Sequence, residues 1–83
     1  SSDLTTEFSQ DDLFEDKINV VNLVVKCNFA SSKGEAKRLI QQGGISVNDK
    51  IISALDKTYT RDELKEGLKI RKGKKHFHKA ILA

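Results

Sequence analysis

Between residues 31 and 48 the chain has one evident course: Ser-Ser-Lys-Gly-Glu-Ala-Lys-Arg-Leu-Ile-Gln-Gln-Gly-Gly-Ile-Ser-Val-Asn forms a helix, stops, and turns into a strand. Ser32 followed by Glu35 is a capping box, in which each side chain satisfies a backbone donor of the other residue. Gly43 closes the far end, since glycine takes the left-handed backbone that ends helices at no steric cost. Ala36, Leu39 and Ile40 make the buried stripe, leaving Lys33, Lys37, Arg38 and Gln41 on the other faces. Ile45 and Val47 then alternate with Ser46, and Asn48-Asp49 supplies a turn before Ile51-Ile52.

The flanking segments are less constrained. From Ile18 to Cys27 only Asn19, Asn22 and Lys26 interrupt an apolar run, which fits a buried strand or a buried helix. Val20, Leu23, Val24 and Cys27 fall on one helical face, with Asp16 as cap and Asn28 as terminator, so a helix is expected despite the β-branched content. Leu55 to Glu66 reads either as a helical turn capped by Thr60 and Glu63 and closed by Gly67, or as an irregular loop. Leu68 and Ile70, then Phe77, Ile81 and Leu82, flank a cationic turn at Gly73 and predict a hairpin, with Phe77 in the core and His76 and His78 exposed. The expected class is α+β: two packed helices followed by a short, mainly antiparallel sheet with a C-terminal hairpin.

With 83 residues, the chain is at most one domain, which buries only about 60% of the unfolded surface and leaves little room for a large pocket. One cysteine and two histidines provide neither an internal disulfide nor a four-ligand zinc set, so no metal is expected. No apolar run approaches the roughly 20 residues of a membrane span and no secretion signal is visible, so no membrane partner and a cytoplasmic location are expected. No methionine occurs anywhere, and the expectation is of a domain taken from a longer protein. No nucleophile-base arrangement, carboxylate pair or phosphate-binding glycine loop can be assembled, so the domain alone is expected to be no enzyme and to hold no cofactor.

Charge separates the two ends. Residues 1–18 hold six carboxylates against Lys17, a balance of −5; the remainder holds fourteen Lys and Arg against six Asp and Glu, a balance of +8. Residues 1–16 are expected to be an acidic, partly disordered linker, and 17–83 the folded domain. Composition alone allows lysines that merely solubilise, but Arg71 to Lys79 packs five like charges into nine residues, which repel one another and favour a polyanion partner. The start of the capped helix adds its positive dipole end beside Lys33, and Gly34 would let a nucleic-acid backbone approach closely. His76, His78 and Tyr59 are further stacking candidates, while Phe29 reads as a core plug and Cys27 as buried and inert.

These residues are familiar as a set. Asn22-Leu-Val-Val, continuing through Ala30 to Asn48, resembles the RNA-binding domain named after small-subunit ribosomal protein S-four, and Leu68 to Leu82 resembles the last hairpin of the C-terminal domain of bacterial tyrosyl-tRNA synthetase. Three positions depart from the pattern: Asn28 and Asp49 where glycine is usual, and Gly34 where a small polar residue is common. The resemblance implies the fold called the alpha-L RNA-binding motif and a module that clamps tyrosine tRNA at its variable arm and anticodon stem. A separate catalytic domain of the parent chain would use ATP. Carried over by position, the RNA contacts would be Lys33, Lys37, Arg38, Asn48, Lys50, Arg71, Lys72, Lys74 and Lys75. Other expectations kept open are the same domain on an RNA-modifying enzyme or a ribosome-associated factor, and a protein-interaction module docking through its acidic end.

Overall fold

A computed structural model describes residues 5–73 and 75–83; the first four residues of the expected linker, and Lys74, lie outside the described residues. In chain order the elements are β1 (Thr5–Phe8), a 3-10 turn (Gln10–Asp12), β2 (Lys17–Asn19), α1 (Val20–Lys26), α2 (Lys33–Gln41), β3 (Ile45–Val47), β4 (Lys50–Ile51), β5 (Thr58–Thr60), α3 (Arg61–Glu66), β6 (Leu68–Lys72) and β7 (His76–Leu82). Five strands make one sheet in the order β1-β7-β6-β3-β4, antiparallel except where β1 runs parallel to β7. Strands β2 and β5 pair separately as an antiparallel ribbon. The architecture is the expected α+β class, with a third helix.

Helices α1 and α2 end in the same way. After α1, the Phe29 and Asn28 amides donate to the Val24 and Val25 carbonyls, with Asn28 at φ 65°. After α2, the Gly44 and Gly43 amides donate to Leu39 and Ile40, with Gly43 at φ 73°. Both are Schellman closures, which satisfy the last carbonyls of a helix through one left-handed residue. At its start α2 has half of the expected box: the Ser32 hydroxyl accepts from the Glu35 amide at 3.3 Å, but the Glu35 carboxylate takes the Ser31 hydroxyl at 2.7 Å. The complete box belongs to α3, between Thr60 and Glu63, which resolves the ambiguous Leu55–Glu66 segment in favour of a capped helix followed by a loopless entry into β6.

Three expectations are corrected. The first helix begins at Val20 under an Asn19 cap, whose side chain accepts from the Val21 amide at 2.8 Å. Asp16 instead forms a tight turn with Glu15, both at positive φ, and Lys17–Asn19 is drawn into pairing with Thr58–Thr60. Secondly, the acidic segment is built into the fold from Thr5 onward: β1 aligns Thr5–Phe8 with Lys79–Leu82, and the Phe8 side chain is fully buried. Lys26 secures it, meeting Asp12 at 2.5 Å and lying 5.1 Å above the Phe8 ring.

The third correction concerns the last strand. Leu68 and Ile70 point inward and pair with Ala80 and His78, so the alternation of β7 sends Phe77 out. His78, half-buried, meets the Phe29 ring edge-on at 5.8 Å between centroids and is hydrogen-bonded to Thr6. The core is one cluster joining Val20, Leu23 and Val24 of α1, Ala36 and Ile40 of α2, Leu64 of α3 and the inward residues of β1, β3, β6 and β7.

Candidate nucleic-acid interface

Helix α2 presents its cations on two sides. Lys33, in the first turn, and Lys37, one turn later, line an open groove of about 450 Å³ whose other walls are Asn19, Val21, Asn22, Leu55 and Asp56. Arg38, rotated one residue further round the helix, is exposed outside that groove. Gly34 lies between them on the helix, and a Cβ placed there would find only the Ser32 hydroxyl, at 3.9 Å. Asn19 and Asn22 join Lys33 and Lys37 through the fold alone, because the β4–β5 connection with Leu55 and Asp56 forms the opposite bank. Their sequence signal was only that two asparagines broke an apolar run.

The turn after β3 has Asn48 at φ 53° and Asp49 at φ 68°, the paired left-handed conformation of a two-residue hairpin. Asn48 is also a fastener: its amide donates to the Lys69 carbonyl at 2.8 Å and its side-chain oxygen accepts from the Lys69 amide at 3.2 Å. Lys50 is exposed on the edge strand β4.

The basic hairpin divides by strand alternation. Arg71 faces outward opposite Ser46 and Phe77, half-buried, and its Nε has no hydrogen-bond partner among the described residues. Lys72 faces inward and donates from Nζ to the Phe29 carbonyl at 3.3 Å, so it braces the α1–α2 loop. Gly73, at φ 67°, donates its amide to the Gly44 carbonyl at 3.0 Å. Lys75, next in the turn, is exposed. The hairpin end is therefore fastened at Phe29, just before α2, and at Gly44, just after it.

Among the described residues one ion pair forms, Lys26 with Asp12, and no carboxylate lies within bonding distance of the cations of α2 or the hairpin. Unpaired cations on a rigid surface keep their full charge available to a polyanion. One stacking candidate leaves the surface, while Cys27 lies buried as expected. Tyr59 is buried, with its phenol pushed up to about 12 by burial and then by the Glu63 charge, so it offers no stacking face. Cys27 is buried and its thiol likewise raised to about 12, which keeps it protonated and unreactive. His76 is exposed, whereas burial holds the His78 imidazole below its ordinary value. No helix among the described residues is long and apolar enough to cross a membrane.

Residues 2–80 match the family described as the tyrosine–tRNA ligase SYY-like C-terminal domain. The chain is 44% identical over 79 residues to a tyrosine–tRNA ligase of Acetivibrio thermocellus, covering 94% of this chain and 19% of that protein. It is 38% identical over 79 residues to the tyrosine–tRNA ligase of Clostridium botulinum strain Loch Maree, and 35% identical over 79 residues to that of Clostridium tetani, in both cases across 94% of this chain and 19% of the relative. The chain thus spans about a fifth of the length of these curated relatives.

Proposed function

The chain belongs to the family of tyrosine–tRNA ligase C-terminal domains, and we propose that within such a ligase it grips tyrosine tRNA by the variable arm and adjoining anticodon stem. The catalytic domain of the parent chain activates tyrosine with ATP; the module itself holds no cofactor and works in the cytoplasm. Its contribution is positional: phosphate contacts fix the register of the RNA and hold the acceptor end in a distant active site. Lys33, Lys37 and Arg38 on α2, Arg71 and Lys75 on the hairpin, and Lys74, which lies outside the described residues, are the contacts we assign to this grip. Lys50 extends it along the edge strand. Asn48 and Lys72 serve it indirectly, since their polar groups are engaged in holding the turn and the α1–α2 loop.

One observation carries this reading. The amide of Gly73 bonded to the carbonyl of Gly44 fastens the cationic turn beside the end of α2, so two basic elements distant in sequence share one rigid frame. A pair of independently moving lysine clusters would lose much of its affinity to ordering on binding; a fastened pair keeps it.

Binding of the 83-residue chain to tyrosine tRNA, and to a version lacking the variable arm, across a salt series is the test. Preference for the intact tRNA is expected, with log affinity falling linearly with log salt. Lys75→Ala should make that slope shallower by about one unit, and Lys33→Ala with Lys37→Ala by about two, without altering thermal stability. Equal binding to both RNAs would reduce the module to a generic basic surface. Absence of binding at low salt would assign it to protein contact.

A further inference from the structure

The register of the sheet sets Ile51, Ser46, Arg71 and Phe77 side by side across β4, β3, β6 and β7 on its outer face. Ile51 and Phe77 are 67% and 48% exposed, and with Phe14, at 80%, they are the large apolar side chains left open to solvent among the described residues. One pleat along from Arg71 and Phe77, about 7 Å away, Lys69 and Lys79 stand directly opposite each other. Like charges in that position repel, and among the described residues neither has a carboxylate within 4 Å. The stem of Lys79 lies over Gly67, where a Cβ would come 3.0 Å from its Cε, so the glycine leaves room for this lysine to rest on the face. Arg71 adds a third cation with a buried, unpartnered Nε.

An exposed ring bordered by three cations that make no ion pair among the described residues, with Glu7 of β1 as the one carboxylate set on this face by the register, opposite Ile81, matches a ligand that is both planar and anionic. An acidic peptide would meet the charge and leave the ring unused. Base-paired RNA would meet the charge too, but its bases are stacked on one another and unavailable. We infer that the outer sheet face seats one unpaired nucleotide of the bound RNA, its base stacked on Phe77 and its phosphate held between Lys69 and Lys79. This inference rests on the RNA-gripping function above, and adds a second contact on the side of the sheet opposite the core. Stacking on an aromatic ring is tolerant of sequence, so the seat recognises an exposed base rather than a particular one.

The 83-residue chain is titrated with tyrosine tRNA and with a single-stranded heptauridylate, as wild type, Phe77→Leu, Phe77→Trp, the double variant Lys69→Gln with Lys79→Gln, and Lys75→Ala. Phe77→Leu should weaken binding of both RNAs roughly tenfold with an unchanged salt slope, because the ring neutralises no phosphate, and Phe77→Trp should retain affinity. The double lysine variant should lower the slope by between one and two units. In the wild type, tRNA carrying 5-bromouridine should crosslink within β7, a readout that stands even if Phe77→Leu folds poorly. Wild-type affinity in Phe77→Leu with weakened Lys75→Ala would overturn the seat and leave the gripping function intact; if that variant instead loses association with the remainder of the ligase, the face is a protein contact. Absence of binding by the wild type to either RNA would overturn both.

Discussion

Asn28 and Gly43 perform the same task after α1 and α2, at φ 65° and 73°, but only one of them does so without a side chain. Asparagine tolerates the left-handed region better than most residues, while alanine there pushes its Cβ against the following carbonyl. Asn28→Ala should therefore lower stability by about 1 kcal/mol, and Asn28→Gly should leave it level or slightly raised, as read by urea unfolding. Equal losses in both variants would transfer the role from backbone conformation to the asparagine amide. The same residue type explains where the sequence was misleading. Asp16 and Asn19 are both competent helix caps, and local sequence ranks them alike. Pairing of Lys17–Asn19 with Thr58–Thr60, about forty residues away, decides between them, which no window around residue 18 contains. Phe77 is similar: its direction depends on which neighbours Leu68 and Ile70 choose, and a single step of register exchanges it with His78.

At the level of elements, legibility followed how completely each one carried its own signals. α2, with a cap, an apolar stripe and a glycine stop inside twelve residues, was readable almost to its ends. β1 was not, because four residues at a sheet edge have no periodicity to show and their partner is the last strand of the chain. Its attachment is chemical as well as geometric, through the Thr6–His78 hydrogen bond and the burial of Phe8. Burial holds the His78 ring below its ordinary 6.5, so the folded protein favours the neutral imidazole while the unfolded chain takes up a proton first. That contribution to stability is whole above pH 6.5 and is lost as pH falls through the lower folded value. The thermal midpoint should drop between pH 7.5 and pH 5, with amide exchange in β1 accelerating, and His78→Gln should flatten this part of the profile. His76→Gln, at an exposed position, should leave the dependence in place; if it removed the dependence, the assignment to β1–β7 docking would fail.

For the whole molecule, the decisive feature is that the acidic and basic parts of the chain form one body. A flexible acidic tether could be removed without consequence, but here truncation through Asp12 would also remove Phe8 from the core and Asp12 from Lys26, confusing a charge effect with unfolding. The informative change is to neutralise carboxylates that bear no structural load. Asp11 and Glu15 are exposed and make no side-chain hydrogen bond or ion pair among the described residues, unlike Asp12. They remain part of a −5 segment held against a +8 body, and so contribute a repulsive potential towards RNA. The double variant Asp11→Asn with Glu15→Gln should bind tyrosine tRNA a few-fold more tightly near 50 mM salt, and the gain should fade as the screening length falls below about 8 Å above physiological ionic strength. Its salt slope should stay close to that of the wild type, because the slope counts phosphates contacted and no contact has been added. Weaker binding in this variant would mean that the acidic segment touches the RNA or a bridging cation directly, and the grip would then extend beyond α2, the hairpin and the sheet onto the β1–β2 connection.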